Sequence, residues 1–306
     1  MIVGGAVGLV ILLGVGAVCF WVITVVHTMR ALTRPTRRTY AWALARNVAG
    51  DPGELGEALA FETVRVGGGD GEIEYWRVRG RDPSGVRVVM IHGWGSSKIG
   101  ALKRMEGMAD VVCEFVAIDL RGHGESGGRC ALGTKEHADV IRVLGEIDAD
   151  APVVLLGWSM GGGVAIRVAR EGAGGHDVVG VVCESAYVDA PTPARNVMRL
   201  SGMPTRLNLV PAMRVLGIRF GVGMSWDGFA RDRIAEGVGV PVLVVHGSAD
   251  PVCPVGDGRA IAEAAPDGRL EVIEGGGHNN LWTDPVMKDR VVGAVRGFVE
   301  EVSRRS

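Results

Sequence analysis

Cysteine, aromatic side chains and net charge are all scarce in this sequence. Its 306 residues include five cysteines, 5% aromatic residues and a formal net charge of −2. The cysteines are widely spaced and form no CxxC pair, which argues against a disulfide framework or a zinc site and fits a reducing compartment. The near-neutral charge gives no electrostatic basis for a nucleic-acid partner.

Glycine and apolar residues are abundant instead. The chain holds 48 glycines, 13 prolines and 47% hydrophobic residues. This balance excludes a collagen-like or disordered chain, because there is ample apolar surface for a core. The length allows one large α/β domain or two small domains. We therefore expect a globular chain of enzyme size.

The chain opens with a long uncharged run, residues 2–26. As a helix rising 1.5 Å per residue, this run would extend roughly 37 Å, enough to cross a hydrocarbon core about 30 Å thick. A signal peptide or a buried core helix is the alternative, but a signal peptide carries a basic segment before a shorter apolar stretch. The sequence favours a single-pass transmembrane anchor over residues 1–29.

Basic residues follow the run closely, at Arg30, Arg34, Arg37 and Arg38. The first acidic residue is Asp51. The positive-inside rule then predicts that the bulk of the chain lies on the cytoplasmic side, with Trp21 near that membrane interface. Residues 30–58 are interpreted as a juxtamembrane connector that contains a short helix over 40–48.

The rest of the chain, residues 59–306, alternates strand and helix signals. Two antiparallel strands are predicted at 59–66 and 72–78, around a turn at 67–71. Further strands are predicted at 86–91, 114–119, 153–156, 178–183, 240–245 and 270–273. Helices are predicted between them at 98–109, 134–147, 160–170, 255–264 and 285–302. The pattern predicts an α/β domain with a mostly parallel sheet of about eight strands, flanked by helices, and ligands at the strands' carboxyl ends.

One interval, between Ser185 and Gly239, shows no clear strand. We predict an inserted helical cap over the site at about 187–237. The interval is rich in arginine, with Arg195, Arg199, Arg206, Arg214, Arg219, Arg231 and Arg233. These arginines indicate either an ordinary solvated surface or a basic lip for an anionic substrate or a lipid headgroup.

The pattern Gly-x-Ser-x-Gly occurs twice, around Ser126 and around Ser159. In so glycine-rich a chain the pattern alone is weak, and its context has to decide. A nucleophile elbow needs a buried strand directly before the serine and a helix directly after it. Ser159 follows VVLLGW and precedes MGGGVAIRVAR, whereas Ser126 lies inside the loop RGHGESGGR. Ser159 is therefore the candidate nucleophile.

A serine nucleophile needs a general base, because its alkoxide is too basic to persist at neutral pH. His278 directly follows the last predicted strand, after three glycines that allow a close approach. His246 ends an apolar run and is expected to be packed in the core. His278 is the candidate base.

The acid that orients the base should lie between serine and histidine in the chain. Asp250 follows the strand VLVVH and fits that position. Glu184 and Asp189, after the preceding strand, are the alternatives. Alone, Asp250 would pass for a turn residue before Pro251. The order serine, acid, histidine favours a catalytic role.

An oxyanion hole would complete the set. The sequence HGWG at 92–95 follows the strand VRVVMI. We expect the backbone N–H of Trp94 and that of Met160, directly after the nucleophile, to be its donors. A glycine-rich turn without a catalytic part is the alternative for HGWG.

These pieces together resemble the α/β-hydrolase superfamily, over roughly residues 59–306. The matching motifs are HGWG (92–95), DLRGHGES (119–126), GWSMGG (157–162), HGSADPVCP (246–254) and GGGHNN (275–280). The resemblance is to the serine-hydrolase branch with esterase-like and aminopeptidase-like members. It implies Ser159 as nucleophile, Asp250 as acid, His278 as base and a structural role for DLRGHGES. Trp158 departs from the family, where histidine is frequent before the serine.

The resulting hypothesis is a serine hydrolase that cleaves a carboxylic ester through an acyl-enzyme. Amide, peptide or thioester hydrolysis is an alternative, and so is a non-catalytic membrane scaffold of the same fold. No metal or organic cofactor is implied. The expected partners are a small-molecule or lipid-derived ester and, through the N-terminal helix, a membrane.

Overall fold

The sheet is the frame of the molecule. The computed structural model describes residues 2–67, 71–203 and 205–305, with side chains from Gly8 onward. The strands are β1 (Phe61–Val66), β2 (Ile73–Arg79), β3 (Val86–Ile91), β4 (Val112–Ile118), β5 (Val153–Trp158), β6 (Val178–Glu184), β7 (Val242–Gly247) and β8 (Gly268–Ile273). They form one eight-stranded sheet in the order β1-β2-β4-β3-β5-β6-β7-β8. The first two strands pair antiparallel and β2 pairs antiparallel with β4, whereas all later pairs are parallel.

Helices cover both faces of this sheet. They are α1 (Ile2–Thr33), α2 (Tyr40–Leu44), α3 (Leu102–Met105), α4 (His137–Leu144), α5 (Met160–Glu171), α6 (Pro191–Leu200), α7 (Leu209–Phe220), α8 (Arg231–Ala235), α9 (Val255–Ala264) and α10 (Pro285–Ser303). Every residue of β3, β5 and β7 is buried. Continuous apolar strands of this kind need cover on both sides. The α5 side and the α10 side therefore form two separate cores. The mostly parallel sheet predicted from the sequence is confirmed.

The helix predicted over 98–109 is wrong as a single element. The structure has a 3-10 turn at Lys98–Ala101, the one-turn helix α3 and another 3-10 turn at Ala109–Val111. Glycines at 100 and 107 weaken a continuous helix. The amide of Lys98 also donates to Asp119 Oδ1, at 2.8 Å, which fixes the start of this segment on the neighbouring loop.

The long helix α1 docks onto the rest of the chain by its last third. Residues 8–33 are long and apolar enough to cross a membrane. Val25 and Leu32 are buried, whereas most side chains before them are exposed. The helix continues to Thr33, beyond the anchor boundary predicted at residue 29. In the connector, the predicted 40–48 helix ends at Leu44.

The interval between β6 and β7 is helical, with α6, α7 and α8. We call residues 187–237 the cap segment. Tyr187, Trp226 and Phe229 stack and pack edge to edge within it. Arg231 does not belong to a basic lip: it is buried and donates to the carbonyl oxygens of Gly133 and Gly163. Of the turn predicted at 67–71, residues 68–70 lie outside the described residues.

Candidate active site

Ser159 sits at a strained turn between β5 and α5. Its φ is 54° and its ψ −119°, a backbone conformation that a residue with a Cβ rarely adopts. The amide of Ser159 donates to the carbonyl oxygen of Glu184 on β6, at 2.7 Å. The turn therefore holds the serine at the carboxyl edge of the sheet and at the N-terminus of a twelve-residue helix, whose dipole favours negative charge.

Two glycines make this turn possible. A Cβ at Gly157 would collide with the backbone of Gly161 and Gly162. A Cβ at Gly161 would collide with the carbonyl oxygens of Ile91 and His92. Both obstacles are backbone atoms that no rotamer change moves away. The glycines of this Gly-x-Ser-x-Gly are thus required by close packing on both sides of the serine.

His278 joins Ser159 to Asp250. Its Nε2 lies 3.1 Å from Ser159 Oγ, and its Nδ1 lies 2.7 Å from Asp250 Oδ2. With the ring proton on Nδ1, the imidazole donates to the carboxylate and leaves Nε2 free to accept the serine proton. Three residues far apart in the chain therefore form one continuous hydrogen-bonded line.

Asp250 is held as a carboxylate. Its side chain is fully buried, and its Oδ1 accepts from the amides of Val252 and Cys253 at 2.8 and 2.9 Å. Burial opposes the charge, but the hydrogen bond and the positive charge of His278, with the two amides, hold the pKa of Asp250 below its ordinary value. The group facing His278 is thus an anion at neutral pH.

The two alternative acids are engaged elsewhere. Glu184 is buried and accepts from Arg104, at 2.6 and 2.9 Å, and from Nε1 of Trp282. Asp189 accepts from the amide and hydroxyl of Thr192 at the start of α6. Of the three predicted acids, Asp250 is the one that the structure places against His278.

The loop after β3 lies against the serine. A Cβ at Gly93 would come within 2.9 Å of the Cβ of Ser159, so this position admits the serine only because it is glycine. Trp94, next in the chain, donates from its indole Nε1 to the carbonyl oxygen of Leu32, at 2.8 Å. The end of α1 is thereby fastened to the loop beside the candidate nucleophile.

Ser126 has a different setting. It is buried, its hydroxyl donates to the carbonyl oxygen of Asp119 at 2.6 Å, and it accepts from the amide of Glu74 at 2.8 Å. The nearby carboxylate of Asp119 accepts from Nζ of Lys98, at 2.5 Å. The hydroxyl of this serine thus closes its own loop through Asp119 and ties that loop to β2 through Glu74. The structural role predicted for DLRGHGES agrees with these contacts.

His278 also belongs to a trio of side chains that could act as metal ligands. Ligand atoms of Asp250, Cys253 and His278 lie within 4.8 Å of one another, and no other such trio occurs among residues 2–67, 71–203 and 205–305. Burial raises the pKa of the Cys253 thiol well above its ordinary value. A metal site would need the thiolate and a free carboxylate. This donor set therefore fits a histidine–carboxylate pair beside a neutral thiol better than a metal ligand set.

His246 is packed, as the sequence predicts. It is fully buried, its Nε2 lies 3.0 Å from the carbonyl oxygen of Cys253, and burial lowers its pKa. It lies beside Asp250, with Nε2 3.7 Å from Oδ2, whereas the serine hydroxyl pairs with His278. Its contacts support the loop that carries the carboxylate.

A cavity of about 680 Å³ opens onto Ser159 and His278. Its walls come from several parts of the chain: the loop after β3, the α3 segment at 99–106, the elbow at 158–160, the α6 part of the cap segment, the loop of His278 and the connector. The connector and the end of α1 contribute Leu32, Trp42 and Val48. The connector's role in the site was missed in the sequence, where nothing links these residues to the motifs.

A buried ion pair in the wall of this cavity was also missed in the sequence. The guanidinium of Arg104 lies 3.9 Å from the ring centre of Trp158 and pairs with Glu184 at 2.6 Å. The tryptophan before the candidate nucleophile is therefore packed with one face of its indole on the guanidinium of Arg104, while the residue also lines the cavity. The ring centre of His92 lies 6.4 Å from that of Trp158.

Comparison with known proteins gives one family match. Residues 88–294 match the model of the alpha/beta hydrolase family. This range runs from within β3 to the middle of α10 and includes each residue of the Ser159–His278–Asp250 line. It ends before Arg304 and begins after the hairpin of β1 and β2.

Two curated relatives have names that state a reaction. The chain is 24% identical over 220 residues to a pimeloyl-[acyl-carrier protein] methyl ester esterase of Chromobacterium violaceum, covering 61% of this chain and 84% of that protein. It is 31% identical over 117 residues to protein phosphatase methylesterase 1 of Bos taurus, covering 36% of this chain and 30% of that protein. The chain therefore spans less than a third of the bovine relative.

A solved structure shares the fold. An esterase of Pyrococcus furiosus superposes with a TM-score of 0.65, at 18% identity, over 88% of this chain and 99% of that one. At this identity the likeness concerns the fold alone.

Proposed function

This chain belongs to the alpha/beta hydrolase family, as the sequence motifs indicate, and on that premise we propose that it is a serine hydrolase that cleaves carboxylic esters. The observation that carries the proposal is the hydrogen-bonded line Ser159–His278–Asp250 at the mouth of a cavity. An esterase or hydrolase activity agrees with the names of the relatives.

In the first step His278 takes the proton of Ser159 while Oγ attacks the ester carbonyl carbon. Asp250 keeps the ring proton on Nδ1 and stabilises the imidazolium. The tetrahedral oxyanion is received by the backbone N–H groups of Met160 and Trp94. Met160 is the first residue of α5, and the first amides of a helix have no partner within it. His278 then gives its proton to the leaving alcohol, and a water molecule hydrolyses the acyl-enzyme by the same route.

We propose the following organisation for the whole chain. Residues 1–29 anchor it in a membrane as a single span, residues 30–58 connect, and residues 59–306 form the hydrolase domain with the cap segment inserted. The arginines after the span support a cytoplasmic side for this domain by the positive-inside rule. The helix over Gly8–Thr33, which is long and apolar enough to cross a membrane, supports the anchor.

A substrate panel tests the reaction. The full chain in detergent is given matched aryl esters, anilides and thioesters of increasing acyl length, beside a Ser159→Ala variant. We expect ester hydrolysis that the variant lacks. Faster cleavage of the anilides or thioesters would contradict the ester assignment, and equal rates in wild type and variant would favour the non-catalytic scaffold.

A further inference from the structure

The outer face of the cap segment is apolar. On α7, Val210, Val215 and Ile218 expose about half of their side-chain surface, and the preceding Leu207 exposes 74%. The opposite side of the same helix, with Leu209, Met213 and Leu216, is buried in the core. An exposed apolar stripe opposite a buried one marks a helix with an additional partner.

This face is continuous with α1. Nε1 of Trp21 donates to the carbonyl oxygen of Leu207 at 2.8 Å, and Nδ2 of Asn208 donates to Oγ1 of Thr28 at the same distance. The start of α7 is therefore fixed beside residues 21–28 of α1. Val22 and Ile23, directly after Trp21, are exposed, so both helices expose apolar side chains near their contact.

The contact between α1 and α7 fixes how deep the start of α7 lies relative to a bilayer that α1 crosses. Residues 2–20 of α1 rise roughly 28 Å at 1.5 Å per residue, which matches a hydrocarbon core of about 30 Å. Trp21 then lies at the membrane interface, where tryptophan is enriched. Since Leu207 is hydrogen-bonded to Trp21, the start of α7 lies at that interface as well.

Unpaired positive charge accompanies the apolar side chains: Arg214 and Arg219 lie on α7, Arg206 precedes it, and Arg195 and Arg199 lie on α6. The cap segment carries exposed arginines that form no side-chain hydrogen bond or ion pair with the residues that the structure describes: Arg195, Arg199, Arg206, Arg214 and Arg219. Basic residues beside an apolar helical face are typical of a helix that lies in an anionic headgroup layer. A protein partner would need acidic groups, whereas an anionic bilayer supplies both chemistries at once.

We propose that the exposed face of α7 is inserted into the headgroup and upper acyl region of an anionic bilayer, beside the span formed by α1. The cap segment is then a second membrane contact. The other long helix of the cap segment, α6, contributes Pro193, Ala194 and Val197 to the wall of the cavity that Leu32 also lines. Building on the proposed function, the substrate is therefore an ester that resides in the membrane and reaches Ser159 between α6 and the connector.

Label depth tests the inserted face without any use of activity. The full chain, with Cys19 and Cys113 replaced by Ala, receives a spin label at Val210→Cys or Ile218→Cys and is reconstituted in phosphatidylglycerol vesicles. The matched control is Val286→Cys, an exposed valine on α10, which packs on the other face of the sheet. We expect oxygen to relax the first two labels more than a water-soluble nickel chelate does, and the reverse at residue 286.

Water-like accessibility at residues 210 and 218 would overturn the proposal. Spin–spin coupling between labels of two copies, without contact with oxygen, would also overturn it and assign the face to a dimer.

A kinetic ratio tests the route of the substrate. We expect the double variant V210E/I218E to lower hydrolysis of a long-chain ester embedded in the vesicles at least fivefold relative to a short water-soluble aryl ester. Val286→Glu should leave the ratio of the two rates unchanged. An unchanged ratio in the double variant would contradict delivery from the membrane. Absence of all ester hydrolysis in wild type would refute the proposed function, while the label depths would still decide the inserted face.

Discussion

The same five-residue pattern occurs twice in this molecule and leads to two unlike serines. Ser159 lies at a strained turn between a buried strand and a helix, with its hydroxyl 3.1 Å from a histidine. Ser126 lies in a loop, buried, with its hydroxyl between the carbonyl oxygen of Asp119 and the amide of Glu74. The first hydroxyl faces a cavity and a histidine, and the second is hydrogen-bonded to two backbone groups.

The glycines differ in the same way. At Gly157 and Gly161 the obstacle to a Cβ is the backbone of the elbow and of β3. At Gly124 it is the carboxylate of Asp119, and φ is 46° there and 76° at Gly128. One pair of glycines allows two elements to approach, while the other allows a loop to turn. A short pattern therefore carries chemistry only through the elements on either side of it.

Replacing each serine by alanine should give the largest difference between the two sites. We expect Ser159→Ala to lower kcat by about 10⁶-fold, because the nucleophile of a triad is lost. Ser126→Ala should retain kcat within a few-fold but lower the free energy of unfolding by about 1–3 kcal/mol, since a buried amide loses its acceptor. Ester turnover and urea unfolding measure the two effects. Equal loss of turnover in both variants would contradict the distinction.

Replacing the aspartate near each serine should give the next largest difference in turnover. Asp250→Asn should lower kcat by about 10⁴-fold, because an amide no longer fixes the proton on Nδ1 of His278. Asp119→Asn, in the other loop, should chiefly reduce stability, since Lys98 loses one of its two carboxylates. Turnover per folded enzyme, with the folded fraction from circular dichroism, separates the two. A larger loss per folded molecule in Asp119→Asn would contradict the account.

As the pH falls, the histidines at and beside the Ser126 loop should lower the free energy of unfolding before Asp250 is protonated. Burial lowers the pKa of His123 to about 3 and that of His92 to about 4. Below pH 6.5 the unfolded chain binds protons that the folded chain does not, so stability that is complete above pH 6.5 is lost as the pH falls towards 4 and then 3. Each unit of pKa difference corresponds to about 1.4 kcal/mol.

The carboxylate of Asp250, whose pKa lies below its ordinary value of 3.8, contributes stability that is lost only at lower pH. Urea unfolding between pH 7 and pH 4 measures the loss, and His123→Gln should flatten its slope. An equal slope in that variant would exclude His123 as a source.

The smallest expected effect concerns the bond between Trp94 and α1. Trp94→Phe keeps the ring but removes the donor to Leu32, so we expect a loss of about 1 kcal/mol, or roughly fivefold in kcat/KM. Trp76→Phe, at a buried indole on β2 away from the cavity lining, is a matched control. A wild-type kcat/KM in Trp94→Phe would show that the end of α1 does not position the loop.

The sequence was informative where a local signal and a strand end coincide. The elbow at Ser159 and the loops of Asp250 and His278 follow buried apolar strands, and parallel strands bring their carboxyl ends to one edge. The helix at 255–264 matches α9 in both bounds. The helix at 98–109 failed because the buried side chain and amide of Lys98 bind Asp119 and Glu74, a tertiary contact without a local trace.

Contacts between distant segments were beyond reach for the same reason. The stack of Arg104 on Trp158 joins two elements more than fifty residues apart, and Arg104 stands in no motif that would point to Trp158. In the sequence nothing distinguishes Arg231 from the exposed arginines of the cap segment, although it is buried against α5. Trp42 lines the cavity only because α1 and the connector fold back over the loop after β3.

The central claim is that His278 activates Ser159 and leaves Ser126 inert. The most direct measurement is peptide mapping by mass spectrometry after the full chain reacts with a fluorophosphonate, which phosphonylates only activated serines. We expect one adduct per chain, on the peptide that contains Ser159, and its absence in His278→Ala. An adduct on Ser126, or undiminished labelling of Ser159 in His278→Ala, would contradict the account.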